Sequence, residues 1–179
     1  MEAIKQDKLY TVDDYLYWDD DESYEVIDGI VYNHCSSLRH QDVSSEILSQ
    51  ISAQLDKRRC KVFAAPSDVV LDDYTVVQPD IFVICDRSRY SGDRFRGGPE
   101  LVIEILSKSS ELRDNCIKMK KYKESKVSEY WIVDFSNGVI KVHDFSGNSE
   151  GEFGKDSIVV SSSVVGVEVN FKTVFDNLW

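Results

Sequence analysis

Two carboxylates stand where the sequence otherwise predicts buried strands. Asp80 follows Pro79 in "VVQPDIFVIC", at the head of an apolar run, and Glu104 lies among apolar residues in "PELVIEILSKSS". A carboxylate buried on a strand costs several kcal/mol unless it is paired or binds a metal. If the two strands are neighbours, the two acids can converge on one Mg²⁺, which prefers carboxylate, carbonyl, water and phosphate oxygens. The alternative for Asp80 is a capping role at the start of its strand.

A lysine on a following helix is the third candidate. In "RDNCIKMKKY", Asp114, Lys118 and Tyr122 recur every four residues, so they share one polar face of a predicted helix. A lysine packed over the two acids would offset their charge, orient an attacking water or stabilise a phosphate in the transition state. The same spacing also fits an exposed ion pair between Asp114 and Lys118, which would contribute little. The pattern leaves both interpretations open.

Cysteine and histidine patterns argue against a site made of soft ligands. The chain has four cysteines and three histidines, all scattered, with neither a CxxC pair nor an HExxH motif. This spacing disfavours a zinc ribbon and a thioredoxin-like site. We therefore expect buried, reduced thiols.

The charge distribution bears on the class of partner. The formal net charge of −11 is the wrong sign for a protein that holds nucleic acid by bulk electrostatics. Basic residues nevertheless cluster in "DRSRYSGDRFRGG" and between Lys108 and Lys126. These clusters are either solvated faces or a local phosphate-binding surface on an acidic body.

Length and hydropathy predict one globular domain covering residues 1–179. The sequence contains no apolar run near the roughly 20 residues of a membrane span, and its start lacks the apolar region of a signal peptide. We therefore expect a cytoplasmic protein.

The elements that must position the candidate residues follow from local patterns. The sequence predicts a mixed α/β (α+β) fold, with helices flanking one central sheet. Asp28-Gly29 predicts a hairpin, and Val43, Ile47 and Ile51 predict one face of a helix from about residue 39 to 58. The remaining predictions are strands near 60–64, 68–71, 75–85, 101–106 and 129–135, a mobile loop over 86–98, a helix over 110–123, a hairpin at Asn137-Gly138, short strands near the end and a final short helix.

Several motifs in a fixed order resemble a known family. The order is "YEVIDG", then His40 at the head of a helix, "QPDIFVI", "GPELVIEILS", "RDNCIKMKKY" and "EYWIVD". It resembles the Uma-type family of restriction-endonuclease-like proteins, within the PD-(D/E)XK nuclease-like superfamily, from about Thr11 to the final helix. The resemblance implies a restriction-endonuclease-like core, with a central mixed β-sheet flanked by helices and a magnesium-dependent site that cleaves phosphodiesters at one edge.

The resemblance also implies roles for individual residues. Asp80 and Glu104 would be the metal ligands, with the Ile105 carbonyl as a third. The superfamily's usual lysine, two residues after the second acid, is replaced here by Leu106, and Lys118 would take its place from the helix. Glu25 would be an additional acid, although an acid next to a hairpin is more often exposed. The candidates for substrate contact are His40, Lys108, Arg94, Arg96 and Lys121.

Three functional hypotheses follow. The first is a DNA endonuclease that requires Mg²⁺, with Mn²⁺ able to substitute, acting as a homodimer because two sites suit the two strands of a duplex. The second is a non-catalytic nucleic-acid-binding or regulatory module that retains the fold, which the acidic net charge favours. The third is a metal-dependent phosphoesterase for smaller substrates, which would need a narrow pocket. A positive rim around the acids would favour the first.

Overall fold

The computed structural model describes residues 8–18, 23–33, 36–91, 94–107 and 110–178. Their backbone forms a mixed α/β structure with three sheets and a few helices, so the predicted fold class is confirmed. Across these ranges, every helix is too short or too polar to cross a membrane.

A six-stranded mixed sheet carries most of the core. Its spatial order is β12 (Ser149–Gly154), β11 (Val139–Asp144), β10 (Glu129–Asp134), β9 (Leu101–Ile105), β6 (Ile81–Ile84) and β3 (Lys61–Ala64). Strands β9 and β10 are parallel, and the other neighbours are antiparallel. The two innermost strands, β9 and β10, are almost entirely buried, as expected for a sheet covered on both faces.

A second sheet packs beside the first, and a small third sheet follows near the end of the chain. The second has the order β2 (Ile30–Asn33), β1 (Tyr24–Ile27), β5 (Thr75–Val77), β4 (Val69–Asp72), β8 (Arg94–Arg96) and β7 (Tyr90–Ser91). The β1–β2 hairpin turns at Asp28 and Gly29, which both have positive φ angles, as the predicted two-residue turn requires. The third sheet pairs β13 (Ile158–Val160) with β14 (Glu168–Asn170).

Helices cover both faces of the central sheet. Helix α2 (Leu38–Gln54) begins at its N-cap Ser37 and buries Val43, Ile47 and Ile51 against one face. The other face packs against a π-helical segment, Arg113–Lys118, that continues into α3 (Met119–Glu124). The short helices α1 (Val12–Leu16) and α4 (Phe171–Asp176) lie near the two ends of the chain, and α1 begins with a capping box formed by Thr11 and Asp14.

Two predictions about elements were wrong, and one strand was not predicted. The predicted strand 75–85 is two strands in different sheets, because Gln78-Pro79-Asp80 interrupts the run and Pro79 has no N–H for a ladder. The segment 86–98 is not simply a loop, since it forms a 3₁₀ turn and the paired strands β7 and β8. Strand β12 was missed because its sequence, "SEGEFG", is largely polar and exposed at the sheet edge.

The prediction of buried, reduced thiols was also wrong. Cys60 and Cys85, which flank the paired strands β3 and β6, form a disulfide, and the free thiol of Cys116 is exposed. The pairing is long-range, and the strand register that juxtaposes the two cysteines is not visible in their spacing. Cys35 lies outside the described residues.

Candidate active site

The two carboxylates meet where neighbouring strands of the central sheet end. Asp80 immediately precedes β6, Glu104 lies on β9, and the two strands are antiparallel neighbours. The Ile105 N–H donates to Asp80 Oδ2 at 2.7 Å, and the Asp80 N–H lies 3.4 Å from Glu104 Oε2. The side chains are only 4% and 2% exposed. The strand adjacency that the metal hypothesis requires is therefore present.

Lys118 lies directly against this pair. Its Nζ is 2.8 Å from Glu104 Oε1 and 2.7 Å from Glu25 Oε1, and the residue is 1% exposed. Asp114 is also buried, with its Oδ1 3.9 Å from the same Nζ. The interpretation of Asp114 and Lys118 as an exposed surface pair is wrong.

Glu25 belongs to the same cluster. It lies on β1 and is completely buried, which rules out an exposed surface acid. Its Oε1 also accepts a hydrogen bond from the Gln78 N–H at 2.9 Å. Because Gln78 is two residues before Asp80, this bond fixes strand β1 to the segment that carries Asp80.

His40 contacts two of the oxygen groups that the metal hypothesis uses. Its Nε2 lies 3.1 Å from Asp80 Oδ2 and 2.9 Å from the Ile105 carbonyl oxygen. The N-cap of α2 fixes the start of the helix at His40, because the backbone N–H of His40 donates to Ser37 Oγ. Burial lowers the pKa of His40, but the hydrogen bond to Asp80 and its charge outweigh burial and raise that pKa above its ordinary value.

Burial and charge shift the pKa values of the two acids in opposite directions. Burial, with the nearby charges of Asp80, Asp114 and Glu25, raises the pKa of Glu104 to about 8 against the opposing effect of Lys118. Burial also acts to raise the pKa of Asp80, but the hydrogen bond from His40 outweighs it and lowers that pKa. The Lys118 pKa is raised because Glu104 and Glu25 outweigh its burial.

The helical segment that carries Lys118 supplies two further groups that the sequence analysis did not assign to the site. Tyr122 is fully buried and donates from its hydroxyl to Glu104 Oε1 at 2.6 Å. Arg113 Nε lies 3.7 Å from both Glu25 Oε2 and Asp114 Oδ1. The polar stripe through Tyr122 was the available signal for the first. Arg113 had no such signal, because a π-helical turn rather than an α-helical one aligns it with Lys118 five residues later.

The donor set fits a hard divalent cation. Asp80, Glu104 and the Ile105 carbonyl offer the oxygen ligands that Mg²⁺ prefers. The cluster holds four carboxylates, on Glu25, Asp80, Glu104 and Asp114, against the permanent cations Lys118 and Arg113. Burial raises the pKa of Glu104, and this excess of negative charge raises it further. Within the described ranges no three acid, histidine or cysteine side chains form a metal cage, so carbonyl and water oxygens would complete the ligand set.

The predicted substrate contacts from the basic clusters have other partners. Arg94 pairs with Asp68 at 3.0 Å, and Arg96 lies 3.6 Å from Asp73. Lys121 donates to Asp72 at 2.9 Å and also pairs with Asp28. These three residues therefore do not join the cluster around Asp80 and Glu104. Arg94 and Arg96 keep part of their side chains at the surface, whereas Lys121 is buried. Lys108 lies outside the described residues.

Comparisons with known proteins bear on the family and the fold of the chain. Residues 12–170 match the model of the Uma2 family, described as "Putative restriction endonuclease". An uncharacterized protein of Synechocystis sp. is 25% identical over 145 residues, which cover 79% of this chain and 76% of that protein. A crystal structure of an Anabaena variabilis protein, described as a putative nuclease, superposes with a TM-score of 0.78 at 20% identity, covering 93% of this chain and 98% of the other. The likeness to that structure shows the shared fold.

Proposed function

The chain belongs to the Uma2 family of restriction-endonuclease-like proteins, and we propose that it is a magnesium-dependent endonuclease that hydrolyses DNA phosphodiester bonds. The observation that carries the proposal is the buried convergence of Asp80, Glu104 and Lys118, with Glu25, from β1, two strand ends and a helix. A nuclease-like function is what the family and the superposed structure share.

In this proposal Asp80, Glu104 and the Ile105 carbonyl hold Mg²⁺. When bound, the ion supplies Lewis-acid stabilisation of the phosphate and a lower pKa for the attacking water. Lys118 holds a permanent positive charge beside Glu104, where it stabilises the negative charge that develops on the phosphate. Glu25 orients Lys118 through the 2.7 Å contact, and Tyr122 fixes Glu104 Oε1, so the reacting groups are preorganised.

His40 orients Asp80 before metal enters. Its Nε2 contacts both Asp80 Oδ2 and the Ile105 carbonyl oxygen, so the ring holds these two ligand oxygens in place. Mn²⁺ is expected to substitute for Mg²⁺, because both are bound by carboxylate and carbonyl oxygens.

The assembly and location follow the same proposal. A homodimer would present two sites to the two strands of a duplex. The exposed apolar side chains of Ile158, Val160 and Val165, near the end of the chain, support an apolar contact there. A cytoplasmic location fits a protein that acts on DNA.

A specific observation favours a second candidate, a non-catalytic binding or regulatory module. The arginines between residues 86 and 98 bond to neighbouring groups: Arg94 and Arg96 pair with acids, Arg87 donates to the carbonyl oxygens of Lys57 and Arg58, and Arg89 contacts Asp86 and the Gly98 carbonyl oxygen. With a net charge of −11, this pairing weakens the positive rim that a nuclease needs.

One experiment separates the two candidates. Mg²⁺ or Mn²⁺ is titrated calorimetrically into wild type, Glu104→Ala and the matched control Glu111→Ala, whose glutamate is exposed at the start of the helical segment that carries Lys118. Cleavage of supercoiled plasmid is followed in the same samples. We expect wild type and control to bind metal and cut, and Glu104→Ala to do neither while remaining folded. Metal binding without cleavage, or no binding at all, would favour the module.

A further inference from the structure

A cavity lies at the opposite end of β6 from the candidate active site. Its volume is about 730 Å³, within the range of about 300–1,000 Å³ that small-molecule sites occupy. Its wall contains Cys60, Cys85, Arg58, Arg59 and Arg87. Asp80 precedes β6 and Cys85 follows it, so the length of that strand separates this cavity from the carboxylate cluster.

The disulfide between Cys60 and Cys85 forms part of the cavity wall. Both cysteines line the cavity and neither is fully buried, so the cavity offers a route to this bond. Apolar contact is available beside the sulfurs from Leu55 and Val164. A buried structural disulfide would lack this access, whereas an accessible one is open to attack by a thiolate.

The charged groups of the cavity favour an anion. Of its three acids, Asp86 is paired with Arg89, whereas Asp56 and Glu100 accept from backbone N–H groups and keep their negative charge. The three arginines of the wall therefore outnumber the two acids that lack an ion-pair partner within the described ranges. In contrast, the guanidinium groups of Arg58 and Arg59 have no carboxylate or carbonyl partner in the described part of the chain. Two unpaired cations therefore border the disulfide in a cleft, where charge focusing raises the local concentration of anions.

We propose that Cys60 and Cys85 form a reversible thiol–disulfide exchange site that takes small carboxylate-bearing thiols. The thiolate attacks one cysteine sulfur, the S–S bond breaks, and the other cysteine leaves as a thiolate. A second thiolate then attacks the mixed disulfide, releases the remaining cysteine thiolate and forms the small-molecule disulfide. Two thiols are oxidised, the protein gains two electrons, and the two protons of those thiols reach the cysteine thiolates.

The nearby arginines serve this reaction in two ways. They attract the carboxylates of the incoming thiol, and they stabilise the cysteine thiolate that leaves, since adjacent cationic groups lower the pKa of a thiol. The site is independent of the proposed nuclease activity, because it shares no residue with the carboxylate cluster.

The test compares thiols of different charge on the folded, full-length protein. Reduced glutathione carries carboxylates, 2-mercaptoethanol is neutral and cysteamine is cationic. Reduction of the Cys60–Cys85 bond is followed by alkylation and peptide mass spectrometry, and each rate is divided by the rate of the same thiol with a small model disulfide. We expect glutathione to show about a tenfold preference over 2-mercaptoethanol, cysteamine to react most slowly, and added salt to reduce the differences.

Paired variants keep the test decisive. Arg58→Gln with Arg59→Gln should abolish the preference for glutathione, and Lys120→Gln, an exposed lysine on α3, is the matched control that should retain it. A Cys60→Ser variant should trap glutathione on Cys85 when treated with glutathione disulfide. Any of three results would overturn the proposal. They are equal normalised rates for the three thiols, an unchanged preference for glutathione in the arginine variant, and reduction of the bond only as fast as the protein unfolds globally.

Discussion

The raised pKa of Glu104 predicts that its ionisation destabilises the metal-free protein as pH rises. The folded-state pKa is about 8 and the reference value is 4.5. Between these values the unfolded chain loses this proton while the folded protein keeps it, so the free energy of unfolding falls with rising pH. At 1.36 kcal/mol for each pKa unit, the loss approaches about 5 kcal/mol when both states are ionised. Because the buried carboxylates of the cluster titrate together, the fall expected from Glu104 itself is about 2–5 kcal/mol.

The assay compares wild type with Glu104→Gln in the presence of a chelator. Urea unfolding at intervals from pH 5 to pH 9 gives the free energy of unfolding of each protein. We expect the stability of wild type relative to the variant to fall by about 2–5 kcal/mol across this window, because the amide cannot ionise. His40, whose raised pKa contributes stability that is also lost as pH rises, is present in both proteins and largely cancels. The lowered pKa of Asp80 contributes stability that is lost only below its reference value of 3.8.

Two controls make the result specific. Glu111→Gln makes the same chemical change at an exposed glutamate of the following helical segment, and its stability should follow wild type at every pH. A saturating divalent cation should flatten the fall in wild type, because it favours ionised Glu104. If the difference between wild type and Glu104→Gln stays constant from pH 5 to pH 9, burial does not raise this pKa and the electrostatic account of the site is wrong.

Three further perturbations test other parts of the structure by urea or thermal unfolding. Lys118→Met should lower the free energy of unfolding by about 3–5 kcal/mol, because it removes the cation that lies 2.7 Å from the buried Glu25 carboxylate. Glu25→Gln in the same chain should restore part of the loss, and strict additivity would contradict the pairing. Tyr122→Phe should cost about 1–2 kcal/mol by removing the hydroxyl that donates to Glu104, and an unchanged midpoint would show that this bond is weak. Gly98→Ala should lower the free energy of unfolding by about 1–3 kcal/mol, because a Cβ there would collide with the Ser125 carbonyl oxygen. Gly154→Ala is the control and should lower it much less, because a Cβ there meets nothing within 4 Å.

Much of the local structure was predictable because it depends on neighbouring residues. The Asp28-Gly29 turn, the apolar stripe of α2 and the apolar run of β9 each appear in the sequence with the period of their element, and all three predictions are confirmed. The same reasoning failed at Pro79, where one apolar run supplies strands to two sheets, and at β12, whose pairing comes from the edge of a sheet rather than from apolar residues.

The sequence by itself determined which groups needed partners. Acids within apolar strands, at Asp80 and Glu104, and a polar face on the following helix required compensation, since an isolated buried charge is too costly to persist. The order of the motifs, by its resemblance to a known family, indicated the family.

Only the tertiary structure decided which partners met. The pairing of β6 with β9 brings the two acids together, the π-helical turn aligns Arg113 with Lys118, and burial of Glu25 turns a hairpin acid into part of the cluster. The pairing of β3 with β6 places Cys60 beside Cys85. The basic residues Arg94 and Lys121 find acids on the second sheet and its turns. These contacts join residues distant in sequence, so they depend on strand register and packing of the whole chain, which local patterns do not specify.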